Sequence, residues 1–167
     1  LGQMVASGNT NVAMGLMWGW HVLSPNAPFA DGSAYGTQHL IRVIVLLTDG
    51  DNTNNTTSDP NDSIYTGLGY IWQQRLLGSN NVALTDGSSS NDRMLAIDDR
   101  ETRLCNNIRA QGILVYSIGV GVSAHSRSLL QACATDPSYY FDVTDAAQLN
   151  TVFDTIAGSI QNLRISH

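Results

Sequence analysis

Asp49 is the residue whose type and position most clearly suggest chemistry. It lies on a Thr-Asp-Gly turn that ends a near-continuous apolar run, Ile41 to Gly50 (IRVIVLLTDG). In open parallel sheets, ligands bind outside the carboxyl ends of the strands, and a carboxylate in that position can ligate a cation. An aspartate after a buried strand is also often a simple turn cap. Because one carboxylate rarely makes a site, the remaining groups must come from other segments.

The element that must position Asp49 is a strand at 41–48. Residues 43–47 do not alternate between polar and apolar, so we expect helices to cover both faces of this strand. Further strands are predicted at 113–119 and 139–143. Strands separated by helices predict an α/β fold with parallel pairing through right-handed crossovers.

Helical periodicity accounts for most of the remaining chain. The predicted helices are 10–23, 92–111, 126–134 and a last one that starts at Asp145. Asn9 or Thr10 is the expected amino-terminal cap of the first helix, and Gly112 ends the second. The last helix has the clearest apolar stripe, which consists of Leu149, Val152, Phe153, Ile156, Ile160 and Leu163.

The length of the chain fits one domain over residues 1–167, with a long insertion at 51–91 above the ligand edge. Only three strands are evident. The strand at 41–48 should therefore be a sheet edge with unpaired backbone groups. Either a second copy of the chain or a missing amino-terminal portion of the domain is expected to pair with it, so a homodimer is one expected state.

Composition and motifs exclude several functions. The net charge is −6, with eight arginines, no lysine and no basic cluster, which argues against nucleic-acid binding. The apolar stretch 12–23 is too short to span a bilayer, so we expect no membrane segment or signal peptide in this chain. HExxH, GxSxG and Walker motifs are absent, and the sequence predicts a non-enzymatic protein.

The two cysteines, Cys105 and Cys133, are twenty-eight residues apart, and each falls in a predicted helix. This spacing excludes a CxxC redox pair or a zinc knuckle. A structural disulfide between neighbouring helices is the preferred interpretation, and two buried free thiols are the alternative. A disulfide would indicate an oxidising compartment.

Four phrases resemble von Willebrand factor type A (vWA) domains: Gly8 to Asn11 opening a helix, IRVIVLLTDGDNT, LVYSIGVG after a glycine-capped helix, and YYFDVTDAAQL opening the last helix. More narrowly, GLMWGWHVLSP, LCNNIRAQGI and ACATDPSYYFDVTDAAQL, with both cysteine positions, are similar to TadG-type Flp/Tad pilus assembly proteins. The resemblance covers nearly the whole chain. It implies a Rossmann-like, mostly parallel sheet with helices on both faces, which here lacks the amino-terminal strands, including the central one.

The resemblance also implies a metal-ion-dependent adhesion site, in which Thr10 and Asp49 match two of three ligand loops. The expected ion is Mg²⁺, with Mn²⁺ or Ca²⁺ as alternatives, because hard cations prefer oxygen ligands. The first ligand loop of the family, Asp-x-Ser-x-Ser at the end of the central strand, has no counterpart before Gly8. The site is therefore expected to be incomplete in this chain.

Two other acidic loops are candidates for metal binding. Asp86, Ser88 and Ser90 spell Asp-x-Ser-x-Ser, but they follow the Asp49 strand and have little apolar support. An ordinary surface loop is preferred there over a substitute metal loop. The segment 59–62 lacks the glycine and distal glutamate of an EF-hand and is interpreted as a solvated loop.

The function implied is a protein-recognition or adhesion module of a bacterial pilus assembly protein. Its partner would be a pilus or envelope component. Its location would be periplasmic or extracellular, in a parent protein anchored to the membrane. The alternatives are a cytoplasmic vWA module coupled to an ATPase, as in metal chelatases, and a structural scaffold without metal.

Overall fold

The structure is a computed structural model, and it describes residues 8–55 and 66–165 of the 167-residue chain. The described residues form an α/β fold. Its helices and strands are α1 (Val12–Leu23), β1 (Val43–Thr48), α2 (Ser90–Ala110), β2 (Leu114–Val120), α3 (Ala124–Cys133), β3 (Tyr140–Val143) and α4 (Leu149–Ile165). Three short 3₁₀ helices lie at Ile71–Gln73, Pro137–Tyr139 and Ala146–Gln148.

The sheet of the described residues has three parallel strands in the order β1-β2-β3. Each pair of neighbouring strands is connected through a helix, as the alternation of strand and helix patterns predicted. The register pairs Leu47 of β1 with Ile118 of β2, and Ile118 in turn with Phe141 of β3. The parallel α/β architecture with helices on both faces of the sheet is confirmed for the described residues.

Helices cover the two faces of the sheet unequally. On one face, α1, α2 and α3 enclose the main core, whose buried residues are Leu16, Ile44, Leu46, Cys105, Ile108, Ile113, Val115, Val122, Leu130 and Cys133. On the other face, the smaller apolar cluster includes Ile156 of α4, which is buried with Tyr116, Ile118 and Val143. The core therefore sits mainly under the three-helix face.

Strand β1 is an edge of this sheet, as predicted, because its only strand neighbour in the described chain is β2. The expectation that helices cover both of its faces is wrong. Ile44 and Leu46 are buried, but Val45 is 40% exposed and Leu47 is 43% exposed. Nothing in the described residues covers these two side chains fully, since α4 packs mainly against β2 and β3.

Local differences from the prediction have simple physical causes. The amino-terminal cap of α1 is Asn11, whose side chain accepts a hydrogen bond from the Met14 amide at 2.9 Å, so the predicted caps Asn9 and Thr10 are wrong. In α4, Phe153 is 44% exposed, because the stripe is wider than the surface that the sheet offers it. Gly112, predicted to end α2, follows the carboxyl-terminal cap Gln111 and has a φ of +72°, a backbone conformation that favours glycine.

The predicted disulfide is present between Cys105 of α2 and Cys133 of α3, with their Cα atoms 5.0 Å apart. Both residues are 1% exposed and belong to the main core. The bridge therefore fastens two helices of the same face to each other. Among the described helices, none is both long enough and apolar enough to cross a membrane.

Candidate functional site

Asp49 lies directly after β1, and its side chain is exposed. The turn that it occupies is held by its neighbour: the Thr48 hydroxyl donates to the Gly50 carbonyl at 3.1 Å and accepts from the Gly50 amide at 3.3 Å. In the described part of the chain, no hydrogen bond or ion pair engages the Asp49 carboxylate. Asp49 is therefore not the cap of this turn, and its two oxygens are free to bind a ligand.

Thr10 lies against the loop that follows Asp49. Its amide donates to the Thr53 hydroxyl at 2.7 Å, and its carbonyl accepts from the Thr53 amide at 2.8 Å. A third bond, from the Asn55 amide to the Asn9 side chain at 3.1 Å, extends this pairing. The fold thus brings the two predicted ligand segments together. Because Asn11 caps α1, the Thr10 hydroxyl is left without a partner among the described residues.

A second aspartate of the same loop, Asp51, has hydrogen-bond partners. One of its oxygens accepts from the hydroxyl of Ser123 at 2.6 Å and from the hydroxyl of Ser126. These two hydrogen bonds hold the pKa of Asp51 below its usual value. Asp51 therefore anchors the loop to the start of α3, whereas Asp49, two residues earlier, has no hydrogen-bond partner among the described residues.

Asn52 connects the loop to the interior. Its side chain is almost completely buried: the Oδ1 atom accepts from the Val12 amide at 2.7 Å, and Nδ2 donates to Asp98 and to Glu101 at 2.8 Å each. His125 of α3 adds a contact, with Nε2 2.7 Å from the second oxygen of Asp98. This cluster joins the loop to α1, α2 and α3 at once.

No sequence motif points to the polar residues Asn52, Asp98, Glu101 and His125, but the position of Glu101 in α2 is unusual. Glu101 falls four residues after Ile97 and four before Cys105, so it lies on the buried stripe of α2, where a charged residue is unusual. Burial raises the pKa of Glu101, and the neighbouring Asp98 carboxylate raises it further, while the hydrogen bond from Asn52 and the charge of His125 oppose the shift.

Arg93 links the turn before α2 to the same loop. The side chain is buried; Nε donates to the Asn54 carbonyl at 2.6 Å and Nη1 donates to the Ser88 carbonyl. Burial lowers the pKa of Arg93, although Asp86 and Asp92 partly offset that effect. The arginine thereby fixes the positions of two loops at the carboxyl edge of the sheet.

The Asp-x-Ser-x-Ser spelling belongs to the start of α2. Asp86 accepts a bond from the amide of Gly87, Ser88 accepts one from the amide of Thr85, and Ser89 is the amino-terminal cap. Ser90 is the first residue of the helix. These local bonds favour a capping turn over a substitute metal loop. The other acidic loop, 59–62, lies outside the described residues.

The donor set at the Asp49 edge fits a cation in part. Within residues 8–55 and 66–165, no three His, Cys, Asp or Glu side chains are grouped so as to hold a metal ion. Asp49 and Thr10 offer one carboxylate and one hydroxyl, both unengaged, and these are oxygen ligands of the kind Mg²⁺ accepts while it keeps several waters. The remaining ligands would have to be waters or oxygens from another segment.

The family comparison supports the fold. Residues 75–155 match the model of the von Willebrand factor type A domain. The matched stretch includes α2, β2, α3 and β3, and it begins after both Thr10 and Asp49. A sequence comparison with curated proteins gives no significant match.

Solved structures share this fold at low sequence identity. The vWF domain of the type V pili tip protein Mfa5 from Porphyromonas gingivalis has a TM-score of 0.60 and 17% identity, covering 95% of this chain and 70% of its own. The open conformation of the pilus adhesin SpaC from Lactobacillus rhamnosus GG has a TM-score of 0.57 and 16% identity, covering 95% of this chain.

The present chain spans only 20% of the SpaC chain. It likewise spans 25% of proximal thread matrix protein 1 from the mussel byssus, which has 16% identity over 93% of this chain and a TM-score of 0.46. At these identities the likeness concerns the fold alone.

Proposed function

We propose that this chain is a non-enzymatic recognition module, of the adhesion type, that binds a protein partner at the Asp49 edge of its sheet through a divalent cation. The observation that carries the proposal is the free Asp49 carboxylate, which is exposed at a strand end, while Thr48 takes over the capping of its turn. The Thr53 pairing places Thr10 beside the same loop. Mg²⁺ is the cation that we propose, with Mn²⁺ as a substitute.

The chemistry of such a site follows from its few ligands. A cation bound by one carboxylate and one hydroxyl keeps much of its positive charge and several exchangeable waters. A carboxylate on a partner protein can displace one of these waters and complete the coordination. Asp49 and Thr10 hold the cation, and Asp51 and Asn52 keep the loop in place through their bonds to α3, α1 and α2.

Contacts between the polar residues favour binding over catalysis. Ser126 donates to Asp51, and His125 contacts Asp98, so the adjacent serine and histidine do not form a nucleophile and base pair. The Ser126 contact connects the loop with α3, and the His125 contact connects α3 with α2.

The proposed setting is the bacterial envelope, in a pilus assembly protein of the TadG type. The disulfide between Cys105 and Cys133 supports an oxidising compartment. The fold shared with the pili tip protein Mfa5 and the pilus adhesin SpaC is compatible with a role in surface attachment. The proposed partner is accordingly a pilus or envelope protein.

The exposed edge of β1 offers a second contact. Within residues 8–55 and 66–165, no strand pairs with one side of its backbone, and Val45 and Leu47 are half exposed beside that side. Edges of this kind pair readily with a further strand. We propose that in a solution of this chain alone the added strand comes from a second copy.

Calorimetric titration of Mg²⁺ and Mn²⁺ into the whole chain tests the cation site. We expect binding heat with the wild-type protein, loss of that heat in Asp49→Ala, and at least a severalfold weaker affinity in Thr10→Val. Asp86→Ala is the matched control, because Asp86 is also exposed on an Asp-Gly turn, yet bonds only to its own turn.

Three results would count against the proposal. Absence of heat in the wild-type protein would contradict cation binding by this chain. Loss of heat in Asp86→Ala but not in Asp49→Ala would move the site to the turn before α2. Two free thiols, found by mass spectrometry of the unreduced protein purified from its natural source, would contradict the envelope location and favour a cytoplasmic module.

A further inference from the structure

The polar cluster behind the candidate site contains two buried carboxylates, which cation binding at Asp49 does not require. Its members are Asn52 in the loop, Asp98 and Glu101 on α2, and His125 on α3. Asn52, Asp98 and Glu101 are each at most 5% exposed, whereas the His125 side chain is 43% exposed. The cluster therefore connects a buried acidic pair with solvent through one imidazole.

Asn52 is the centre of the cluster. Its amide oxygen accepts a hydrogen bond from the Val12 amide, and its Nδ2 atom donates to both carboxylates. If the side-chain amide were flipped, its oxygen would face the two carboxylates and its NH₂ group would face the Val12 N–H, so none of these hydrogen bonds could form. The orientation of Asn52 is thus fixed by its partners. Because Asn52 follows Asp49 by three residues and Val12 follows Thr10 by two, this one side chain holds both candidate ligand segments.

The acidic pair is short of compensating charge. Glu101 has a single donor, the Nδ2 group of Asn52, which it shares with Asp98. The titratable groups that act on it are Asp98 on its own helix and His125 on α3. Asp51, next to Asn52 in the loop, is tied to Ser123 and Ser126. When Glu101 and Asp98 are both ionised, one neutral amide must bridge two buried negative charges, which is costly in an interior of low dielectric constant.

We propose that this cluster is a proton-responsive latch, in which protonation of Glu101 tightens the packing of the loop and α1 against α2, and its ionisation loosens that packing. In the protonated state, Asn52 bridges one neutral acid and one carboxylate, and the latter is paired with His125. In the ionised state, two charged carboxylates are buried side by side on α2, and they gain hydration only when the loop and α1 separate from that helix. The segments that separate are those that carry Thr10 and Asp49.

The direction of the response follows from burial. Burial is the main reason why the pKa of Glu101 is raised in the folded protein above its unfolded value. Such a group stabilises the folded state fully below its unfolded pKa, and this stabilisation is lost as the pH rises through its folded pKa. The latch is therefore closed below the unfolded pKa of Glu101 and opens as the pH rises through its raised folded pKa.

Amide hydrogen exchange at Val12 tests the latch, because the Val12 amide donates to Asn52. Exchange is measured in the whole chain with a chelator present, at about pH 5 and about pH 8, and corrected for the intrinsic effect of pH on exchange. From the lower to the higher pH, we expect the opening constant to rise about threefold or more in the wild-type protein. In Glu101→Gln, which cannot ionise, this rise should disappear.

Asp99→Asn is the matched control. It removes a carboxylate from the same helix at a side chain that is 55% exposed and paired with Arg103, outside the cluster. This variant should respond to pH as the wild-type protein does. If Glu101→Gln does not fold, Asp98→Asn provides a partial test. Glu101 stays buried and still ionises in this variant, but one of the two repelling charges is removed, so the rise should be smaller than in the wild-type protein.

The latch is overturned if Glu101→Gln or Asp98→Asn keeps the wild-type rise, or if the wild-type opening constant does not change with pH. Because these measurements exclude metal, their outcome is independent of the cation site. A titration of Mg²⁺ at both pH values then connects the two proposals. Absence of Mg²⁺ binding at either pH would contradict the proposed function and leave the latch intact.

Discussion

Strands β1 and β2 are neighbours with similar sequences and different surroundings. VIVLLT and LVYSIGV are both near-continuous apolar runs, and they pair residue by residue over six positions. In β2, Val115, Tyr116 and Ile118 are 0% exposed, because a strand flanks it on each side and helices cover both faces. In β1, the same kind of sequence has one strand neighbour and one well-covered face.

An apolar run in the sequence shows that a strand can be buried on both faces. Whether both faces are buried depends on which strands and helices the rest of the chain packs against it. Strand β2 ends in a closed corner, where the Gly121 amide donates to the Val143 carbonyl of β3 at 2.7 Å. Strand β1 ends at Asp49, which nothing in the described chain engages. The candidate ligand Asp49 and the open sheet edge are therefore found on the same strand, which is the one with fewer strand neighbours among the described residues.

Substituting the register partners Ile118 and Leu47 tests this contrast directly. Ile118→Ala should lower the free energy of unfolding by about 2–5 kcal/mol, because it leaves a cavity in a closed core. Leu47→Ala should cost less than about 1 kcal/mol, since Leu47 is 43% exposed. Urea denaturation gives both values. Equal losses would mean that something covers β1 in solution as completely as β2 is covered.

The bonds of Asp51 sharpen the contrast, because they tie the end of β1 to the helix that follows β2. Asp51→Asn should lower the free energy of unfolding by about 1 kcal/mol at neutral pH, since it weakens the acceptor of the Ser123 and Ser126 hydroxyls. The pKa of Asp51 is lowered by these bonds, so its contribution exists above the unfolded pKa and is lost as the pH falls through the folded pKa.

Denaturation of Asp51→Asn is measured with a chelator present, so that no cation contributes to stability. Asp49→Asn is the matched control: it removes the same charge from the same loop at a side chain without partners, and its stability should stay within about 0.5 kcal/mol of wild type. The difference between the two variants should shrink in acid. A cost of Asp49→Asn as large as that of Asp51→Asn would mean that Asp49 has a structural role.

Much of the fold was predictable because it depends on periodic patterns. The parallel strands, the helices between them and the edge position of β1 follow from spacing and alternation, and the structure confirms them. It also confirms the disulfide between Cys105 and Cys133, which was the preferred of two interpretations. Boundaries moved by at most four residues; the largest shift is at the last helix, which was predicted from Asp145 and begins at Leu149, after a 3₁₀ turn at Ala146–Gln148. Three polar residues in a row could each cap α1, so the sequence did not distinguish between them. The cap is Asn11, because the backbone of Thr10 is hydrogen-bonded to Thr53.

The polar cluster could not be predicted in the same way. Asp98 resembles a residue of a solvated helix face. Glu101 is in register with the buried stripe of α2, but only the approach of Asn52 from a distant loop shows what its carboxylate bonds to. Their sequence separations from Asn52 are 46 and 49 residues, beyond any local pattern. For Asp49, the sequence predicted the position at the strand end. It did not show that the Thr48 hydroxyl makes the hydrogen bonds of the turn, which leaves the Asp49 carboxylate out of them.

The smallest expected effect on stability, and the sharpest test of the open edge, is Leu47→Arg. An arginine at a half-exposed edge position should change the free energy of unfolding by less than about 0.5 kcal/mol. It should nevertheless separate two copies that pair through β1, because twofold symmetry brings the same charge from both copies to one seam. Light scattering should give about twice the 18.0 kDa chain mass for wild type and a single mass for the variant.

The control is Val82→Arg, which places the same charge on an apolar side chain that is 59% exposed outside the strands. This variant should remain dimeric, because only a charge at the seam opposes pairing. A monomeric wild-type protein would contradict pairing between copies, and a dimer that survives Leu47→Arg would place the contact elsewhere. In either case, β1 would be more exposed than β2, but its open edge would not pair with β1 of a second copy.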